Sequence, residues 1–210
     1  MAGAGAGKPY EAILFDFDGV LADTEPLHFE SWSEALQPLG ISLTWHIFEK
    51  HCVGIPDLQV AEFFRGLVQP PPDFETVWAR HSAKEELFLA KLRERTPFLA
   101  ELPEFINSLK NYRLGIVTAS GRSEIEPALE AAGIRHCFEV IIGTEDVVHS
   151  KPAPDPYLLA MRRLGVERAL ALEDSEAGAA SATAAGLDVL RVPRPADMPE
   201  LLKRRLAGSG

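Results

Sequence analysis

Short apolar runs and helix-period stripes alternate along most of this chain. Residues 12–15 (Ala-Ile-Leu-Phe) form an unbroken apolar run, followed by a glycine at position 19. Such a run, closed by a turn residue, predicts a strand buried on both faces. From residue 112 onward the alternation is regular. Positions 113–118, 140–143, 169–172 and 189–192 read as strands, and 123–132, 154–164, 176–185 and 198–206 as helices. Gly133, Gly165 and Gly186 stand where three of those helices should stop, and Pro154-Asp155-Pro156 opens one. Alternation of this kind predicts an α/β fold, a doubly wound, Rossmann-like parallel sheet with helices on both faces. The strand at 12–15 belongs to the same sheet.

Residues 25–96 break the pattern. No strand is evident there, whereas 28–36, 45–52, 58–67 and 77–95 carry helical spacing, interrupted by Pro70-Pro71-Pro72. The expected organisation is therefore a core built from 10–24 and 97–206, a helical cap domain at 25–96, and tails at 1–9 and 207–210. The first tail alternates glycine and alanine and lacks the charged and bulky apolar regions of a signal peptide. It is not a dinucleotide loop either, because Lys8 stands where the third glycine of GxGxxG belongs and the segment precedes the first strand.

Composition narrows the functional classes. The 210 residues are 46% hydrophobic and 25% charged, enough for one core and a smaller second one. A net charge of −10 argues against nucleic-acid or anionic-membrane partners. It leaves room for a small anionic substrate, since a bound cation reverses the potential inside a cleft. Two cysteines without a CxxC spacing suit a reducing, cytoplasmic location, and no apolar run approaches the ~20 residues of a membrane span. No apolar stripe stands out beyond what the insertion needs for itself, so a monomer is expected.

Active sites of open parallel sheets lie at the carboxyl ends of the strands. Here those ends carry Asp16 and Asp18, then Thr118-Ala119-Ser120-Gly121, then Ser150-Lys151-Pro152, then Glu173-Asp174-Ser175. Taken singly, each has a plainer reading. Asp16 and Asp18 suit a turn before a glycine, Thr118 a strand end, Lys151 a solvated surface, and Asp174-Ser175 a helix cap. Taken together, four acids, one lysine and the neighbouring hydroxyls make a cation site beside a phosphate-sized hole.

In this order the segments Asp16-Phe17-Asp18-Gly19-Val20-Leu21-Ala22-Asp23-Thr24, Thr118, Lys151-Pro152 and Glu173-Asp174 resemble the four motifs of the haloacid dehalogenase-like hydrolases. The helical insertion after the first motif resembles their C1-capped branch, and the local sequences resemble its phosphatase and β-phosphoglucomutase subgroup. The resemblance covers nearly everything between Tyr10 and Leu206. It implies a Mg²⁺-dependent phosphatase acting on a small phosphorylated metabolite, with a sugar phosphate as one candidate. Asp16 would be the nucleophile that forms an aspartyl-phosphate, and Asp18 the general acid and base. Lys151 and Thr118, with the amide of Ala119, would hold the phosphoryl group. Asp16, the backbone carbonyl of Asp18, and Asp174 would bind the metal, with Glu173 a ligand directly or through water.

For the insertion the expectations are finer. Glu25, His28 and Trp32 share one helical face, and His28 would meet the substrate or assist Asp18; the alternative is packing at the junction of cap and core. Gly54-Ile55-Pro56 resembles the cap loop that closes over such sites. Mutases of the subgroup carry a basic residue shortly after that glycine, whereas Asp57 follows here and should repel a distal phosphate. Ser120 and Arg122 would grip a distal anion from the core side. A phosphosugar mutase is therefore the second reading. A haloacid dehalogenase, opposed by Asp18, and a non-catalytic binding module, opposed by the full set of acids, come after it. His46, His51 and Cys52 lack the spacing and the fourth ligand of a zinc site.

Overall fold

The computed structural model of the protein describes residues 10–208; the expected tail at 1–9 lies outside them. Five strands, β1 (Ala12–Phe15), β2 (Arg113–Val117), β3 (Val140–Ile142), β4 (Ala169–Glu173) and β5 (Asp188–Arg191), form one sheet in the order β3-β2-β1-β4-β5. All pairings are parallel, and β1, the central strand, pairs with both β2 and β4. Successive side chains of a strand point to opposite faces, and each face has its own core. Ile13, Phe15, Leu114, Ile116, Leu170 and Leu172 face one way. Helices α6 (Leu102–Ser108), α7 (Arg122–Ala131) and α10 (Met198–Ala207) cover them. Ala12, Leu14, Val117, Ala169 and Ala171 face the other way, beneath α8 (Asp155–Leu164) and α9 (Glu176–Ala184). Each fully buried large side chain contributes about 1.5–3 kcal/mol, so the two layers hold β1 rigidly between them.

The strands and helices expected after residue 112 appear within a residue or two of their expected ends. Gly133, Gly165 and Gly186 all have positive φ, the conformation that ends a helix at little cost when no Cβ is present. Three details differ. Helix α6 was not anticipated: it is one short run with a proline in its first turn, too brief to show a period. The second tail does not begin at 207, because Ala207 closes α10 and Gly208 caps it; 209 and 210 lie outside the described residues. The helical stretch 77–95 is two helices, not one.

Between β1 and β2 lie α1 (Glu25–Leu36), α2 (Trp45–His51), α3 (Asp57–Arg65), α4 (Phe74–Trp78) and α5 (His81–Glu94). Asp73 opens α4 by accepting from the Thr76 amide at 2.7 Å, and the chain then turns at Ala79–Arg80, where Arg80 Nε donates to the Ala35 carbonyl at 2.8 Å. The insertion has its own core around Trp32, Leu36, Phe48, Val60, Phe64 and Val77. Helix α5 packs on α1 within the insertion and on α7 of the sheet layer, so one helix joins the two parts. No helix among the described residues is long and apolar enough to cross a membrane.

Candidate active site

The end of β1 delivers Asp16 and, one buried phenylalanine later, Asp18. The chain then turns sharply at Gly19, whose φ is +73°, and a Cβ there would lie 2.2 Å from Asp174 Oδ2. That position thus needs glycine twice, for the turn and for the approach of the acid that follows β4.

Asp16 is 6% exposed. Its Oδ1 accepts from the Phe17 amide at 2.8 Å and lies 3.1 Å from Lys151 Nζ. Its Oδ2 accepts from no donor among the described residues. Lys151, also buried, donates to Glu173 Oε1 at 2.6 Å and to the Val117 carbonyl at 2.9 Å. Tyr157 on α8 donates to the same Glu173 oxygen at 2.5 Å, and Ser175 Oγ donates to Oε2 at 3.3 Å. Both oxygens of Glu173 are therefore occupied. The residue is fully buried, aims Lys151 at Asp16, and keeps a carboxylate oxygen within 4.8 Å of those of Asp16 and Asp174. Asp174, half-buried, keeps its carboxylate toward Gly19. Ser175, not Asp174, caps α9, accepting from the Gly178 amide at 3.0 Å.

Asp18 is held from both sides. Its Oδ1 accepts from Thr24 Oγ1 and lies 3.2 Å from His28 Nε2; its Oδ2 accepts from Ser120 Oγ at 2.8 Å and from Thr118 Oγ1 at 3.4 Å. Thr118 Oγ1 in turn accepts from the Ser120 amide at 3.0 Å. The Ala119 amide has no acceptor among the described residues, and Ala119 lines the cleft. The structure thus brings Asp16, Asp18, Thr118, Ala119, Ser120, Lys151, Glu173 and Asp174 together. The cleft between sheet and insertion has a volume of about 340 Å³; His28, Gly54 and Glu25 line it from the insertion side. His28 also stacks on Phe88 at 4.2 Å, so it packs at the junction of cap and core while its Nε2 faces Asp18. Gly54, with φ of +72°, brings the loop before α3 against Ser175, where a Cβ would lie 3.1 Å from Ser175 Cβ.

Arg122 is not brought in. Its Nε donates to Glu145 at 3.0 Å and lies 3.6 Å from Asp146, and it is not among the residues that line the cleft. The expectation that it grips a substrate anion is corrected: two acids on the loop after β3 compete for its guanidinium, and nothing in the sequence placed them there. Asp57 also has a different setting from the one expected. Its Oδ1 accepts from Trp32 Nε1 at 3.0 Å, and its Oδ2 accepts from Lys84 Nζ at 2.6 Å and lies 3.2 Å from His81 Nε2. His46, His51 and Cys52 form no ligand cluster; His51 stacks on Phe63 at 4.7 Å.

The electrostatics of the sheet end are those of an anion-rich pocket short of positive charge. Burial, then the neighbouring Glu173, pushes the Asp16 carboxyl well above the ordinary range, with Lys151 opposing. Burial and Glu173 likewise raise Asp174, to about 6. Burial, then Asp174 and Asp18, raises Glu25 to about 7. Burial would lower Lys151, but Asp16 and Glu173 hold it above its usual value. Burial would raise Asp18, yet its bonds from His28, Thr24 and Ser120 hold it well below the carboxylate range. Carboxylate oxygens of Asp16, Glu173 and Asp174 lie within 4.8 Å of one another. An all-oxygen donor set in which two acids are raised by crowding fits a hard divalent cation of the Mg²⁺ class.

The chain is similar to known proteins. The family model described as haloacid dehalogenase-like hydrolase matches residues 13–192. A phosphorylated carbohydrates phosphatase of Thermotoga maritima is 31% identical over 85% of this chain and 82% of its own length. A fructose-1-phosphate phosphatase of Escherichia coli is 32% identical over 87% of this chain and 96% of its own. Among solved structures, CbbY of Rhodobacter sphaeroides, crystallised with phosphate, superposes with a TM-score of 0.77 at 32% identity, covering 86% of this chain and 84% of that one. A variant of the same protein was crystallised with xylulose-(1,5)bisphosphate. With the motifs, the parallel sheet and a family match across most of its length, the chain belongs to the haloacid dehalogenase-like hydrolases.

Proposed function

We propose that this protein is a Mg²⁺-dependent phosphomonoesterase that hydrolyses a small sugar phosphate through an aspartyl-phosphate on Asp16. The observation that carries this reading is the asymmetry of Asp16: Oδ1 is fixed by an amide and by Lys151, and Oδ2 is left without a donor at the mouth of the cleft. A carboxylate oxygen held in place but unengaged is a poised nucleophile.

In the first half-reaction Asp16 Oδ2 bonds to phosphorus and the ester P–O bond breaks. The leaving oxygen takes a proton from the Asp18–His28 pair, whose facing atoms lie 3.2 Å apart. In the second, water attacks phosphorus, the Asp16 P–O bond breaks, and Asp18 takes the water's proton, which serves the next turnover. His28, 3.2 Å from Asp18, is placed to share that proton. Lys151 and the Ala119 amide offer donors to the phosphoryl oxygens, and Thr118 fixes the loop that presents Ala119. Asp16, Asp174 and the backbone carbonyl of Asp18 would hold Mg²⁺, which when bound offsets phosphoryl charge. The insertion covers the site and limits water. Two phosphatases about one-third identical over most of the chain support the carbohydrate class of substrate.

The test is phosphate release from fructose 1-phosphate and other sugar phosphates, with Mg²⁺ and with EDTA. Release should need Mg²⁺ and fall by about 10⁴-fold or more in Asp16→Asn, which lacks the nucleophile. Equal release in EDTA, or an active Asp16→Asn, would overturn the reading.

A further inference from the structure

Where the insertion bounds the cleft, the chain carries a charge network that the proposed chemistry does not use. Lys84 of α5 is fully buried and donates to Asp57 at 2.6 Å and to Glu124 of α7 at 2.5 Å. His81 and Glu85 lie beside it, with His81 Nε2 3.2 Å from Asp57 and Nδ1 3.6 Å from Glu85. Asp57, His81, Glu85 and Glu124 line the same cleft as Asp16, but Lys84 does not.

Resting on the phosphatase reading, we infer that this end of the cleft selects monophosphates of uncharged, hydroxyl-bearing carbon chains and rejects substrates with a second phosphate. Three carboxylates meet one lysine and one histidine there, so the lining carries no surplus cation. The one lysine is already shared. To receive a phosphate it must release Asp57 and Glu124, leaving two acids uncompensated. Arg122, the cation the motif would offer from the core side, is held by Glu145 and Asp146 outside the cleft. A distal phosphate therefore meets net negative charge with no free partner, and like charges at short range discriminate strongly.

The same residues favour hydroxyls. Glu124 is 3% exposed, yet Lys84, which reaches only Oε1, is its one hydrogen-bond donor among the described residues. Its second oxygen is an open acceptor on the cleft wall. A substrate hydroxyl satisfies it. Phe48, Val53, Ile55 and Trp78 supply an apolar wall for the carbon chain.

The experiment compares kcat/KM for fructose 1-phosphate and fructose 1,6-bisphosphate, with p-nitrophenyl phosphate as an ester lacking both features, in the Mg²⁺-loaded wild type and in Glu124→Gln. The monophosphate should be preferred by about tenfold or more. Glu124→Gln, one charge less negative, should narrow that preference several-fold. Equal or better use of the bisphosphate by the wild type would overturn the inference. Loss of turnover on all three esters would instead overturn the phosphatase reading. Selectivity is then read by calorimetric binding of the two sugar phosphates to Asp16→Asn: tighter binding of the monophosphate upholds the inference, and equal or tighter binding of the bisphosphate sinks it.

Discussion

At the scale of single residues, the site depends on atoms that are missing. Gly178 sits in the first turn of α9, and a Cβ there would land 2.0 Å from Glu173 Oε2. Glu173 has nowhere to go, because Lys151, Tyr157 and Ser175 hold its two oxygens. Gly178→Ala should therefore displace Glu173, turn Lys151 away from Asp16 and lower phosphatase activity by about 10²-fold. Gly186→Ala is the control: it suffers from a φ of +83° but meets nothing within 4 Å, so it should cost about 1 kcal/mol of stability and little activity. Equal activity losses in both would mean that helix strain, not the placement of Glu173, matters. Asp16, Asp18, Lys151 and Asp174 could be picked out in the sequence because each stands in a motif, three of them at strand ends and Lys151 on the loop between β3 and α8. Tyr157 could not: on a helix it reads as an ordinary core residue, and only the fold brings its hydroxyl to Glu173. Arg122 was misread for the same reason, since its acidic partners arrive from another loop.

At the scale of elements, helix α5 shows where sequence patterns stop being informative. Its stretch His81–Glu94 is mostly polar and charged and reads as a solvated helix. Lys84 is nevertheless fully buried, because α5 is wedged between α1 and α7 and the partners of Lys84 come from α3 and α7. A buried charge of this kind is identified by its partners, and those lie 27 and 40 residues away in the chain. Strands were easier to read, since a parallel sheet buried on both faces needs continuous apolar runs. Removing the lysine tests the assignment. Lys84→Met keeps most of the side-chain volume but leaves Asp57 and Glu124 facing each other, and should cost about 3–5 kcal/mol in urea unfolding. Adding Glu124→Gln to Lys84→Met should recover part of that loss, because it removes one of the stranded charges. No recovery in the double variant would show that packing, not charge, accounts for the cost.

At the scale of the whole molecule, the question is why a stable sheet keeps so many acids at one end. Two apolar layers bury β1 and β4, and that rigidity lets Asp16, Asp174 and Glu25 stay crowded although burial and mutual repulsion raise all three. Without a cation the crowding opposes folding, so stability and function should be at odds there. A cation that binds only the folded chain stabilises it by mass action, about 2.7 kcal/mol at a hundred times its Kd. For a chain of this size each kcal/mol moves the melting midpoint by roughly 2–4 °C, so saturating Mg²⁺ should raise it by about 5–10 °C over an EDTA sample at matched ionic strength. Asp174→Asn removes both one repulsive charge and one proposed ligand. Without metal it should melt at or above the wild-type temperature, and with Mg²⁺ it should gain little. A wild type indifferent to Mg²⁺ would count against the metal site; a metal-free Asp174→Asn that melts well below wild type would mean that Asp174 supports the fold and is not a strained ligand.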